Sequence, residues 1–419
     1  MIILDQPYVS PELLAYAAAR QEPVLDNYMA RACSTDLKMQ GRQVLNLVPE
    51  DRFAAMLRGG QDQAQGQNQG QNQGWAQAPN NSPAHGAAAP ARLYTCSENS
   101  LAWVTEHCSP ALAEAIAKLK NKALTRELLR PLDPDYYYRR LNLAEMQALP
   151  FEALRTPCVL KPAVGFFSLG VYRIGNAEDW HAAKSAIAAE AERWAAQYPQ
   201  SVVDGNDWLL EEYIDGDEYA VDVYFDQDGQ AVVCNILRHE FTGDDDVSDR
   251  LYYTSADIIH ERLAEFEDWF NRVNALLGLR NFPAHVELRR HASGRILPIE
   301  FNPLRFAGWC STDVSLFAWG FHSYGCFLEG VKPDWNSILK GREGRLYTLM
   351  ALNKPANCPP IRDFDYEALA QRFAKVLCLR RNDYTRYGLF GFLFTETPEN
   401  RREELDRIAR SDLLEFALI

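Results

Sequence analysis

The 419-residue sequence predicts a mixed protein, α/β at its N-terminus and α+β beyond it, and three observations carry that expectation. First, short apolar runs at residues 2–4, 23–25 and 44–48 alternate with a helical stretch at 10–20, where Ser10 caps and Pro11 opens the first turn. Second, residues 218–225, 285–287 and 300–302 keep a period of two, which is the mark of strands. Third, apolar runs at 346–352, 376–380 and 389–395 precede a helix expected from Pro398 with Thr397 as its cap, the pattern of a small C-terminal α+β domain.

Composition narrows the function classes. The formal net charge of −14 argues against a general nucleic-acid binder, which carries a basic stripe. Nine cysteines, odd in number and without CxxC spacing, fit reduced thiols and suggest no zinc site. The N-terminus lacks a basic segment followed by a long apolar run, and no stretch approaches the length of a membrane span, so a cytoplasmic protein is expected.

Residues 61–91, rich in Gln, Gly, Asn, Ala and Pro, bury too little apolar surface to offset their ordering entropy and are expected to be a disordered insertion, either a tolerated loop expansion or a tether. The pattern resumes at Leu93, and a helix over 110–120 leads into Asn121 and Lys122. A strand near 156–160 ends in Lys161-Pro162, followed by Gly165, Phe166, Phe167, Ser168 and Gly170. Such a loop is either a hairpin turn or a cradle of backbone N–H groups for phosphate, to which Lys161 adds a point charge. It is neither a Walker loop nor a dinucleotide fingerprint.

At 208–225 an apolar strand ends in Glu211-Glu212, turns at Asp215-Gly216-Asp217 and continues from Glu218, with Tyr219, Val221, Val223 and Phe225 on one face. This suits a linker between two lobes, with backbone around Glu212 to Ile214 for a purine edge and Glu218 for ribose hydroxyls; it also suits a plain hairpin with an acidic turn. In His285-Val286-Glu287 and Glu300-Phe301-Asn302 the polar residues stand two apart, so an antiparallel pairing through the turn at 291–294 brings Glu287 near Glu300 and Asn302. Two carboxylates and an amide oxygen form an oxygen-rich set suited to Mg²⁺; a solvated hairpin face is the other reading. His285 reads as a structural histidine or an aid to proton transfer. The acidic loop 239–249 reads as solvated surface or as the border of an acceptor site, while Leu263, Phe266, Phe270, Val273 and Leu277 keep helical core spacing. The aromatic run 305–327 either lines a substrate pocket or packs against a third lobe.

Over roughly residues 118–310 these motifs, in this order and spacing, resemble the ATP-grasp superfamily, and Asn121-Lys122 with Arg126 and Leu129 resembles its carboxylate-amine ligases. The resemblance implies a three-lobed architecture: an N-terminal α/β (pre-ATP-grasp) domain at 1–117, an ATP-grasp domain at 118–330 with ATP between its lobes, and a C-terminal domain at 331–419. By position, it implies that Lys122, Lys161 and Ser168 meet ATP phosphates, that Glu211, Glu212, Tyr213 and Ile214 hold adenine, and that Glu218 holds ribose. It implies Glu287, Glu300 and Asn302 as ligands of Mg²⁺ or Mn²⁺, with Arg305 and Lys161 as catalytic charges. Two departures stand out: Phe166-Phe167 sit in a loop usually built of smaller residues, and the usual Asn-Pro-Arg is lengthened to Asn302-Pro303-Leu304-Arg305. A bulge at the strand end restores the position of Arg305 in this reading.

The chemistry so implied joins a small carboxylate to an amine through an acyl phosphate, releasing ADP and phosphate, in a protein that acts on small molecules and is a possible homodimer. A phosphotransferase that stops at the phosphorylated product and a non-catalytic ATP-binding protein are the alternatives.

Overall fold

The computed structural model describes residues 1–66, 91–165, 170–197, 205–241, 243, 249–355 and 358–418. Most of the Gln- and Gly-rich insertion lies outside them, as do Phe166, Phe167 and Ser168 of the glycine loop and residues 244–248 of the acidic loop. The first six residues of the expected insertion, 61–66, are helical instead, completing the helix Glu50–Gly66; Gln and Ala are good helix formers, and extending an existing helix needs no new nucleus.

The N-terminal strands β1 (Ile2–Ile3), β2 (Pro23–Leu25), β3 (Asn46–Val48) and β4 (Tyr94–Thr95) form a parallel sheet in the order β3-β2-β1-β4. Helix Pro11–Arg20 opens as expected, with the Ser10 hydroxyl accepting from the Leu13 N–H at 3.1 Å. The second sheet, β5 (Tyr138–Asn142), β6 (Cys158–Pro162), β7 (Tyr172–Ile174) and β8 (Asp207–Glu212), is antiparallel in the order β5-β8-β6-β7. The helix Ala177–Gln197 covers it, burying Trp180, Ala183 and Ile187 against Leu160, Ile174 and Trp208.

The central sheet comprises β9 (Asp217–Phe225), β10 (Ala231–His239), β11 (Leu251–Thr254), β12 (Phe282–Arg290), β13 (Ile296–Pro303) and β14 (Arg345–Asn353) and, beyond the short β15 (Asp363–Phe364), β16 (Val376–Arg381) and β17 (Leu389–Pro398). Its eight strands run β13-β12-β9-β10-β11-β14-β17-β16, all antiparallel. The helix Ala256–Leu277 packs on one face, with Phe266, Phe270 and Val273 fully buried and Leu263 and Leu277 at the margin of the same core. The strands beyond residue 331 continue this sheet, while Phe364, Leu369, Phe390, Leu405 and Phe416 pack with Leu251 and Tyr253 of β11 and Met350 of β14 in a second core on it, and β18 (Ala417–Leu418) pairs with β15.

Thr397 does not cap a helix. Strand β17 runs on to Pro398 because β14 pairs with it along its whole length, and the Thr397 hydroxyl is buried 3.2 Å from that of Thr395; a 3₁₀ turn, Glu399–Arg401, follows Pro398, and the α-helix begins at Glu403. The aromatic run folds as two short helices, Val314–Trp319 and Ser323–Glu329, parted at Gly320, whose φ of 85° ends the first.

Candidate active site

Between the second sheet and the central sheet lies a cleft of about 1950 Å³, and the linker from β8 to β9 joins its two sides. Gly216 makes that junction possible: its φ is +122°, and a Cβ there would lie 2.3 Å from the Arg290 carbonyl oxygen. All of the sequence-predicted site residues line this one cleft except Ser168, which is outside the described residues.

The wall formed by the second sheet is cationic at its surface and tightly paired beneath. Asn121 caps the helix Lys122–Leu129 by accepting from the N–H groups of Ala123 and Leu124 at 3.0 Å, which fixes Lys122 at the first position. Lys122 Nζ lies 3.0 Å from Glu300 Oε2 and donates to the Gly165 carbonyl at 3.3 Å. Lys161, at the end of β6, lies 2.6 Å from Glu211 Oε1, and Arg126 Nε lies 2.6 Å from Glu211 Oε2. Burial alone pushes the Glu211 carboxyl up, but Arg126 and Lys161 outweigh it and hold it down at about 2. Burial draws Lys161 below the usual lysine range, against the pull of Glu211. Both oxygens of Glu211 are thus committed, and its part in the site is to fix two cations.

The linker is equally held. The Tyr136 hydroxyl donates to the Glu212 carbonyl at 3.2 Å, and Arg295 Nη1 meets the Glu212 carboxylate at 3.0 Å. Arg289 Nη1 donates to the Ile214 carbonyl at 2.7 Å, while its Nε meets Glu218 at 2.8 Å. The guanidinium groups of Arg173 and Arg289 both lie over the Tyr213 ring, at 4.5 and 5.2 Å from its centre. His239 Nδ1 holds the other oxygen of Glu218 at 2.8 Å. Burial raises the Glu218 pKa, yet His239 and Arg289 prevail and set it below the ordinary range.

The opposite wall is the β12–β13 hairpin. Glu287 stands directly across from Glu300 and His285 across from Asn302, as the alternation requires. A bulge at Glu287/Leu288 gives β13 one extra residue, Ile299, whose carbonyl accepts from Lys161 Nζ at 3.4 Å and so ties the two walls together. Burial, then the charges of Glu300, Asp249 and Glu218, push the Glu287 carboxyl well above the carboxylate range, with Arg305 opposing. Among the described residues no cluster of three or more His, Cys, Asp or Glu side chains forms a metal site; the candidate set is two carboxylates and the amide of Asn302. Oxygen donors alone, with negative charge that the surrounding side chains leave partly uncompensated, fit a hard divalent cation.

Leu304 absorbs the extra residue of the Asn-Pro-Leu-Arg segment. It adopts a left-handed φ of 60°, donates from its N–H to the Pro283 carbonyl at 2.9 Å and accepts from the Thr95 N–H at 2.8 Å. A left-handed turn at this strand end, in place of a bulge, swings Arg305 into the cleft, where it pairs with Glu98; Lys120 is the second partner of Glu98. Burial acts to raise Glu98, but Arg305 and Lys120 hold it at about 2. His285 Nδ1 meets Asp222 at 2.7 Å, and Asp222, 1% exposed, also accepts from the Ala307 N–H and the Thr312 hydroxyl. Sequence reasoning missed Glu98, Lys120, His239 and Arg289 as site residues, although Arg289 shares β12 with His285 and Glu287, because Glu98 meets Arg305, and Glu218 meets His239 and Arg289, only across the assembled fold.

The family model of the ATP-grasp domain matches residues 154–313. No curated protein matches the chain by sequence. Among solved structures, the fold is similar to that of an L-amino acid ligase from Bacillus licheniformis, with a TM-score of 0.63 at 18% identity over 99% of this chain and 97% of that one. It is also similar to an N5-carboxyaminoimidazole synthase from Aspergillus clavatus, solved with ADP and 5-aminoimidazole ribonucleotide, with a TM-score of 0.57 at 12% identity over 99% and 98% of the two chains. Biotin carboxylase from Campylobacter jejuni aligns with a TM-score of 0.57 at 12% identity over 100% and 91%.

Proposed function

We propose, from the premise that residues 154–313 are an ATP-grasp domain, that this protein is an ATP-dependent ligase joining a small carboxylate to an amine. The observation that carries the reading is one cleft with Lys122, Lys161 and Arg305 on its sides and Glu287, Glu300 and Asn302 on its hairpin wall. One neighbour of the same fold is an L-amino acid ligase, which makes amino acids the first substrates to test.

Attack of a carboxylate oxygen on the γ-phosphorus of ATP brings two anions together, so the site must neutralise and align them. Lys122 and Lys161 bind phosphate oxygens, and Arg305, set in place by Glu98, faces the transferring group. The linker backbone holds the adenine: Glu212 offers its carbonyl, and the Ile214 N–H has no acceptor among the described residues. Glu218, oriented by His239 and Arg289, faces the ribose. Glu287, Glu300 and Asn302 would hold Mg²⁺, or Mn²⁺, which supplies charge neutralisation on the phosphates when bound. The bond from γ-phosphorus to ADP breaks as the acyl phosphate forms. The amine nitrogen then attacks the acyl carbon, loses a proton and expels phosphate, with the closed cleft keeping water out.

No helix of the described residues is long and apolar enough to cross a membrane. The test is ADP release from ATP with pooled carboxylates and amines, beside Glu300→Ala. Amine-dependent release that falls at least a hundredfold in the variant is expected, a loss typical of one charge-stabilising group. Release without need of an amine would point to a phosphotransferase, and turnover that survives the substitution would sink the assignment of the hairpin.

A further inference from the structure

The central sheet changes character along the face that floors the cleft. Glu300 pairs with Glu287, Glu287 with Ala220 and Ala220 with Leu237. Two residues beyond Leu237, His239 pairs with Tyr252, which pairs with Leu349; two further on, Ala351 pairs with Phe392. Paired residues, and residues two apart, project to the same side of a sheet, so all of these share one face. Its β12–β13 end is acidic, and its β14–β17 end is apolar.

At the apolar end the floor acquires a wall. Trp309 lies edge-on to Tyr387 at 5.2 Å and 5.8 Å from Phe392, and all three are only half-buried where they line the cleft. A core cluster would hide such rings from water; these present their free surface to the cleft. The loop that presents Trp309 is fixed from behind. Trp309 and Cys310 both take left-handed backbone, with φ of 55° and 54°, a conformation unfavourable for side-chain-bearing residues and kept only where the surroundings enforce it. The buried guanidinium of Arg380 enforces it here, donating to the Cys310 carbonyl at 2.9 Å while pairing with Asp313 at 2.7 Å and Glu12 at 2.9 Å.

We propose that this apolar shelf, floored by Leu349, Ala351 and Phe392 and walled by Trp309 and Tyr387, holds the branched or aromatic side chain of an amino-acid substrate whose reacting group points back toward Glu287 and Arg305. The proposal rests on the ligase reading for the identity of the substrate as an amino acid. A single methylene in an apolar pocket separates substrates by roughly 10- to 200-fold, so leucine and phenylalanine are expected to bind at least tenfold more tightly than glycine.

Calorimetric titration of leucine, phenylalanine and glycine into the full chain saturated with Mg·ADP tests this apart from turnover. Ala351→Phe fills the shelf and is expected to abolish the preference while glycine binding persists; Phe392→Ala opens it and is expected to reduce the preference several-fold. Thermal melts confirm that each variant folds, and if either does not, the leucine-to-glycine ratio of the native protein decides alone. A ratio below threefold, no binding of any of the three, or a preference that both folded variants retain overturns the shelf. Tight leucine binding without ADP release for any amine would support the shelf and overturn the ligation, so the two failures are distinguishable.

Discussion

The two walls of the cleft solve opposite electrostatic problems. On the second-sheet side every buried charge is answered: Glu211 has Lys161 and Arg126, and its carboxyl is held down at about 2. On the hairpin side Glu287 faces Glu300 with Lys122 and Arg305 as the nearby cations, and its carboxyl is driven up. The first wall holds Glu211 with its own cations and lends Lys122 to Glu300, whereas the second leaves Glu287 to take positive charge from a partner. An active site that handles an anionic nucleotide with a cation needs both kinds: rigid positive groups for phosphate, and carboxylates whose charge is left over for the metal.

The sharpest way to break the contrast is to empty the first wall. Glu211→Gln leaves Arg126 and Lys161 buried without their counter-charge, and breaking such a pair costs about 3–5 kcal/mol, which urea unfolding will read as a lower midpoint. The same residue fixes a pH signature. Burial raises its pKa but the two cations depress it further, from about 4.3 in the unfolded chain to about 2 in the fold. A depressed carboxyl contributes stability that is fully present above the unfolded value and is lost as pH falls through the folded one. Acid unfolding of the native protein therefore steepens between about pH 4 and pH 2, and Glu211→Gln flattens that window, with Glu98 supplying the remaining slope. A variant as stable as the native protein at neutral pH would refute this account of the first wall.

The next effect in size tests the junction between the walls. In Gly216→Ala the new Cβ meets backbone, not a flexible side chain, and a φ of +122° suits no side-chain-bearing residue. Strain of this kind costs about 1–3 kcal/mol. Because the linker carries Glu212 to Ile214, the loss should appear together with weaker ADP binding by equilibrium titration. Destabilisation with unchanged ADP affinity would detach the linker from nucleotide binding.

What was legible in the sequence follows from periodicity. The period of two in His285-Val286-Glu287 and Glu300-Phe301-Asn302 fixed which residues share a face, and the turn fixed their register, so the hairpin wall stands as expected. Ser10 was legible as a cap because capping is local chemistry. Thr397 shows the limit: a Thr-Pro pair carries the local mark of a helix start, and pairing with β14 overrides it. Arg305 was legible as a residue but not in its geometry, since the left-handed Leu304 is stabilised by Thr95 and Pro283, far away in the chain. Glu98 and His239 were illegible for the same reason: only the assembled fold sets them beside Arg305 and Glu218.

The smallest expected effect distinguishes buried order from surface decoration. Arg295 bridges Asp133 at 2.8 Å and Glu212 at 3.0 Å, and by geometry alone it looks as strong a clamp on the linker as Arg289. Its side chain is 38% exposed, however, against 16% for Arg289, so water screens its pairs and competes for its donors. Exposed ion pairs contribute about 0–1 kcal/mol, and Arg295→Ala should shift the urea midpoint by no more than that. Arg289 also holds the Ile214 carbonyl and orients Glu218, so Arg289→Ala should cost more and weaken ADP binding, which Arg295→Ala leaves nearly unchanged. Equal losses in the two variants would mean that the linker is clamped from outside as firmly as from within, and the division between a built interior and a screened rim would have to be redrawn.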